Sequence, residues 1–434
     1  MTAEIAILNR EAIALAADSA STMRSSNRQK ILSSANKIFS LSKCNPVGIM
    51  IYGNAGFMGT PWEIIIKMYR QKLEKNCFNN LEDYADDFIN FIQQEKQFYP
   101  DSIQLDFVSE RIYSYFSLIK EEIEEEIEKK YKVNNNNITE FEGIKIITKI
   151  LKRHYDYRNK AKAITLNIDK DTNSFKIKYQ KTINEIKNKI FKKLTFRQSK
   201  HLTDIAICLF LKDNFPSSGI SGVVIAGFGK NQIFPSIKSF LIDGIANNIL
   251  KYKIDIDKSH RINQKSSALI IPFAQSEMVY SFMEGVNPNY NKVIVDLLKK
   301  TIDDYPQIII DKLSISDGKK KKIITEILKE NPTFIESAIL KLDEFRQEEF
   351  VQPILEIVNF LSKNELAEMA ESLVNLTIFK KRMSSTEDET VGGPIDVAVI
   401  SKGDGLIWIK RKHYFDPKLN QHFFSNYFNF ETKE

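Results

Sequence analysis

A layered α+β fold interrupted by two largely helical segments is what this 434-residue sequence predicts. Three observations lead there. Strand-like stretches occur near both ends and in the middle, and helical periodicity dominates residues 95–217 and 286–363. Glycine (16) and proline (12) are scarce, which speaks against a turn-rich all-β chain.

The elements follow in order. "EIAIL" (4–8) and "AIALAA" (12–17) flank the polar turn Asn9-Arg10-Glu11 and read as a hairpin. After a polar loop over 19–36, "KIFSLS" and "VGIMIYG" flank Lys43 to Pro46 as a second hairpin. "PWEIIIKMYRQKLEK" opens on Pro61 at a helix start, and "LEDYADDFINFIQ" (81–93) puts Leu81, Tyr84, Phe88, Ile89 and Ile92 on one stripe. Residues 1–94 thus form the first part of a core.

The character changes over 95–217. Ile112, Phe116, Ile119, Ile123 and Ile127 recur at helical spacing through "KEEIEEEIEKK", whose glutamates read as a solvated helix face. "ITLNIDKDTNSFKIKY" reads as a small hairpin inside this helical insertion. Strand pattern returns over 218–285 with "SGVVIAGFG", "IFPSIKSFLIDG" and "SSALIIPFA". A second helical insertion occupies 286–363, where Lys319 to Lys322 read as a solvated turn. The last core part and tail, 364–434, carry the hairpin "GGPIDVAVISKGDGLIWIKR" with its turn at Gly403-Asp404-Gly405.

Composition bounds the function classes. Sixty-two basic against 56 acidic residues give a formal charge of +6, without the clustered basic stripe of a nucleic-acid binder. The widely spaced Cys44, Cys77 and Cys208 predict free thiols in a reducing compartment and neither a disulfide framework nor a zinc site. The five histidines form no metal motif. With no apolar run of bilayer length and no targeting segment, the expectation is a cytoplasmic protein that engages neither membrane nor nucleic acid.

Chemistry gathers around Thr2. It stands with "LAADSAST" (15–22), "NKIFSLS" (36–42), "GIMIYGNAG" (48–56) and "TEDETVGGPIDVAVISKGDG" (386–405). In these motifs and their order the chain resembles the proteasome β subunits and their bacterial two-ring relative, which are N-terminal-nucleophile (Ntn) hydrolases. Thr2 and Asp18 are sixteen residues apart, as in that family. The likeness spans roughly 1–94, 218–285 and 364–411. It implies an αββα four-layer sandwich with two largely helical insertions.

It also implies roles. Thr2 becomes the nucleophile once Met1 is removed, with its free amine as base. Lys37 lends positive charge that favours loss of the hydroxyl proton, and Asp18 orients Lys37. The Gly53 N–H faces the oxyanion. Asp388 and Ser276 match the outer shell, although Val391 stands where the family usually has serine. Ser21, Phe39, Ile51 and Ala55 match the pocket for the substrate side chain; being small or apolar, they favour an apolar residue there. No cofactor or metal is required. The implied partners are a peptide or protein substrate, further copies of the chain in a homo-oligomer, and a possible partner protein at the helical insertions. The rival expectation is a catalytically inactive scaffold of the same fold whose insertions bind a partner.

Overall fold

A computed structural model describes residues 2–25, 28–32, 34–133, 139–165, 167–216, 218–384, 391–413 and 415–422. The strands are β1 (Ala3–Leu8), β2 (Ala12–Ala17), β3 (Ser21–Ser25), β4 (Arg28–Leu32), β5 (Ile38–Ser40), β6 (Val47–Gly53), β7 (Gly56–Phe57) and β8 (Thr60–Pro61). They continue with β9 (Ser221–Gly227), β10 (Ser236–Ala246), β11 (Ile249–Ile254), β12 (His260–Arg261), β13 (Leu269–Ala274), β14 (Asp396–Ser401) and β15 (Gly405–Lys410). The helices are α1 (Trp62–Leu73), α2 (Leu81–Gln94), α3 (Asp101–Val133), α4 (Glu140–Lys160), α5 (Ile168–Ile190) and α6 (Phe196–Leu211). After them come α7 (Glu277–Glu284), α8 (Pro288–Asp311), α9 (Asp317–Arg346), α10 (Gln352–Phe360) and α11 (Lys363–Met383).

Helices and antiparallel sheets together make this a mixed α+β chain, divided into two compact units. The first comprises Met1–Ile38, Gln232–Pro235 and Arg261–Glu434; the second comprises Phe39–Asn231 and Ser236–His260.

In the first unit the sheet order is β13-β1-β2-β14-β15, antiparallel throughout. The β1–β2 turn closes because the Asn9 carboxamide oxygen accepts from the Glu11 and Ala12 N–H groups, at 2.9 and 3.1 Å. Helix α11 starts at a capping box in which Ser362 and Glu365 satisfy each other's backbone N–H. Its buried face, Leu366, Ala367, Ala370, Leu373, Val374 and Ile378, joins one apolar cluster with Ala3, Ile5, Ile7, Ala12, Ala14 and Ala16. The alanines keep this face of the hairpin low, so the helix lies close. Residues of β1 alternate in direction, so Thr2 and Glu4 point away from α11.

In the second unit the order is β11-β10-β9-β6-β5. Helices α1 and α2 bury Trp62, Ile65, Tyr69, Tyr84, Phe88 and Ile92 with the strand residues Val47, Ile49, Ile51, Val223 and Ile225. The Trp62 indole N–H donates to the Ser221 hydroxyl at 2.8 Å, which meets its one polar need in the core. Gly53 ends β6 at φ +79°, and a Cβ there would stand 2.5 Å from the Ile220 carbonyl oxygen. Gly53→Ala is therefore expected to destabilise the chain by about 1–3 kcal/mol, read as a lower urea midpoint with an unchanged slope.

Helices α3 to α6 form a separate apolar cluster, with Ile112, Phe116 and Ile119 against Phe175, Tyr179, Ile183, Leu202 and Phe210. Here one expectation fails. The segment expected as a small hairpin runs into α5, which spans Ile168–Ile190. Local alternation around 164–169 suggested strands, but Phe175, Tyr179, Ile183, Ile186 and Ile190 repeat at helical spacing, and Asn167 caps the helix by accepting from the Lys170 N–H at 3.3 Å. Lys319 to Lys322 likewise lie in the first turns of α9, not in a turn.

The free-thiol expectation is also corrected. Cys44 and Cys77 form a disulfide with a Cα–Cα distance of 5.9 Å, while Cys208 is free and buried. A separation of 33 residues carried no local signal. The pairing arises because the Asn45 side chain donates to the Phe78 carbonyl (3.1 Å) and the Tyr84 hydroxyl (2.8 Å), which brings the β5–β6 turn against the α1–α2 loop. Among the described residues, no helix is long and apolar enough to cross a membrane.

Candidate active site

The site begins at the head of β1. Ala3 and Asp18 hold each other twice: the Asp18 N–H donates to the Ala3 carbonyl at 3.1 Å, and the Ala3 N–H donates to Asp18 Oδ1 at 3.2 Å. The Thr2 carbonyl accepts from the Gln275 N–H at 3.2 Å. Thr2 is thus pinned between β2 and β13 by its own and its neighbour's backbone.

Asp18 has a further tie. Its Oδ2 accepts from the Gly392 N–H at 2.8 Å, and the Gly392 carbonyl accepts from the Ser19 N–H at 3.2 Å. The Gly392-Gly393 pair, with φ of 150° and 79°, bends the chain so that the Gly392 N–H faces this carboxylate.

Lys37 completes the group. Its ammonium donates to Asp18 Oδ1 and lies 3.0 Å from Glu4 Oε1. Both carboxylate side chains are fully buried and the lysine side chain is 8% exposed. Thr2 is 4% exposed, and its hydroxyl has no settled hydrogen-bond partner among the described residues. It nevertheless sits close enough to Glu4 to favour that carboxylate's charged form.

Glu4 is the residue that sequence reasoning passed over. Burial is the dominant effect on its carboxyl and pushes the pKa up to about 7; the negative charge of Asp18 adds to the rise, and Lys37 and the Thr2 hydroxyl oppose it. "EIAIL" read as an apolar strand with a polar first residue. A signal was present nonetheless: residues two apart on a strand share a face, so a glutamate at position 4 must lie beside Thr2.

The structure brings together Thr2, Asp18 and Lys37, with Glu4 added. Ser276 lies in the same unit, half-buried and heading α7; among the described residues no hydrogen bond joins its hydroxyl to Thr2, and Gln275 makes the backbone contact instead. Ser21 starts β3 and is half-buried. Gly53, Phe39, Ile51 and Ala55 belong to the second unit. There Ile51 is 4% exposed within the apolar core, Phe39 packs at its margin, and exposed Ala55 lines a depression of about 410 Å³ with Asn54, Gly56, Met58, Gly59 and Pro61. Asp388 lies outside the described residues.

Chemically, the cluster is a buried ammonium held between two carboxylates, one of which lies beside the Thr2 hydroxyl. Such a cluster can hold negative charge near the ammonium, and it contains a carboxyl whose proton affinity burial raises toward neutrality.

No protein-family model matches the chain, and no curated protein does. Among solved structures, Anbu (ancestral beta-subunit) from Yersinia bercovieri aligns over 98% of this chain and 94% of that one, at 8% identity and a TM-score of 0.25.

Proposed function

We propose that this chain is a threonine-type N-terminal-nucleophile hydrolase acting on peptide or other amide bonds, with the αββα architecture of the proteasome β subunits. The observation that carries the reading is the buried Thr2–Lys37–Asp18 arrangement at the head of β1. Thr2 Oγ attacks the amide carbonyl carbon, its proton passes to a neighbouring base, and the leaving nitrogen takes a proton as the C–N bond breaks. Water then hydrolyses the ester and frees Thr2. Once Met1 is removed, the Thr2 α-amine is the ordinary base for this chemistry. Lys37 supplies positive charge to the developing alkoxide, and Asp18 fixes the lysine in place.

The test is hydrolysis of a panel of fluorogenic peptides. Wild type is expected to cleave at least one of them, and Thr2→Ala to fall at least about 10²-fold with an unchanged melting curve. Equal activity in the two proteins would remove the assignment.

A second reading has one observation in its favour. Helices α8 and α9 expose Val293, Leu297, Phe334 and Phe345, each more than half accessible, as a partner-binding scaffold would. That reading predicts no Thr2-dependent turnover of any substrate.

A further inference from the structure

We propose that Glu4 is the proton acceptor of the Thr2 hydroxyl, so that the nucleophile works whether or not its nitrogen is free. The inference rests on the proposed function for the identity of the nucleophile, and it reassigns the proton.

The geometry is local and specific. Thr2 directly precedes β1 and stands two residues before Glu4 along the same extended chain, so the two share the face turned away from α11, which covers Ile5 and Ile7. Glu4 pairs with Ala17 on one side and Phe273 on the other, neither of which can ionise. The titratable and charged groups facing it are Lys37, at 3.0 Å, and Asp18. Lys37 touches Oε1, and among the described residues Oε2 has no hydrogen-bond donor and the Thr2 hydroxyl beside it has no settled partner. Two buried polar groups with unused capacity, a donor and an acceptor, therefore sit side by side. Asp18 is unsuited to the task, since its oxygens already take the Ala3 and Gly392 N–H groups and the Lys37 ammonium.

The step balances without another reactant than water. The Thr2 Oγ–H proton moves to Glu4 as Oγ bonds to the carbonyl carbon and the carbonyl π pair goes to oxygen. The Glu4 acid returns the proton to the amide nitrogen as the C–N bond breaks. In the second half Glu4 takes a proton from the attacking water and gives it to Thr2 Oγ as the ester opens. A carboxyl poised near neutrality suits both directions.

The test uses the full chain in two forms, one with Met1 retained and one starting at Thr2, each verified by intact mass. Both are treated with a β-lactone, which acylates hydroxyl groups, across pH 5 to 9. The expected result is labelling of Thr2 in both forms at similar rates, with the rate rising through an inflection near pH 7. In the Met1-retaining form the Thr2 nitrogen is an amide and does not titrate, and loss of the inflection in Glu4→Gln separates Glu4 from the Met1 α-amine, whose reference pKa is about 8. Glu4→Gln is expected to slow labelling at least about 10²-fold in both forms and to remove the inflection. Labelling of the Thr2-starting form alone would overturn the Glu4 assignment and leave the proposed function standing, as would a wild-type rate and profile in Glu4→Gln. No labelling of wild type in either form would overturn the proposed function itself. Should Glu4→Gln fail to fold, the profile of the Met1-retaining wild type decides alone: a flat profile, or one rising only in the lysine range, contradicts the proposal.

Discussion

Replacing Lys37 with methionine is expected to destabilise the chain by about 3–5 kcal/mol at pH 8, because it strands two buried carboxylates without their cation. Asp18 keeps the N–H groups of Ala3 and Gly392, so part of its charge stays solvated by the backbone. Among the described residues Glu4 has no backbone N–H donor. Most of the loss therefore falls on Glu4, and it should shrink as the pH drops and Glu4 takes up a proton. Combining Lys37→Met with Glu4→Gln should restore about 1–3 kcal/mol more than Glu4→Gln gains in the wild-type background, a coupling expected of groups in direct contact. Equilibrium denaturation of the four proteins measures this coupling. Additive effects, with Glu4→Gln gaining the same in both backgrounds, would mean that Glu4 and Lys37 do not interact in the folded chain. Either Lys37 variant should also lose Thr2 reactivity, since the alkoxide loses its positive neighbour.

The second large effect concerns pH. Glu4 has a folded pKa of about 7, raised from an unfolded reference of 4.5. A carboxyl with a raised folded pKa binds its proton more tightly in the folded state than in the unfolded one. Its protonated form thus favours folding below pH 4.5, and stability falls as the pH climbs from 4.5 to 7, with the full deficit present above 7. A shift of this size amounts to about 3 kcal/mol. Glu4→Gln, which mimics the neutral side chain, should match wild type in acid and exceed it by roughly that amount at pH 8, as read from denaturation midpoints. A gain in stability joined to a loss of reactivity is the pattern of a residue kept for function. Equal midpoints for the two proteins at pH 8 would show that the Glu4 carboxylate carries no burial penalty.

Much of the scaffold was legible because local signals agreed with the fold. Asn9 announced the β1–β2 turn, and the Gly403-Asp404-Gly405 run announced the β14–β15 turn. Apolar spacing revealed α1 and α2. Failures came where the deciding contact is distant in sequence or a longer period overrides a shorter one. The α5 helix hid behind a few alternating residues, and Cys44 gave no sign of Cys77 until the Asn45 side chain tied their loops together.

The site divides in the same way. Lys37 before a strand reads alone as a solvated edge residue, and only the resemblance in motif order singled it out; its burial depends on two carboxylates that no local pattern links to it. Gly392 and Gly393 read as a turn, and in the structure that turn grips Asp18. Glu4 was the reverse case: strand alternation placed it beside Thr2, but its weight came only with full burial and its contact with Lys37.

The most direct measurement of the central claim is the mass of the N-terminal tryptic peptide after β-lactone treatment. Cleavage after Arg10 gives the peptide ending at Arg10, with or without Met1, in which Thr2 is the single hydroxyl-bearing side chain. An acyl adduct on Thr2 is expected in wild type and is expected to be absent from Thr2→Ala. An unmodified peptide from a protein with an intact melting transition would contradict it.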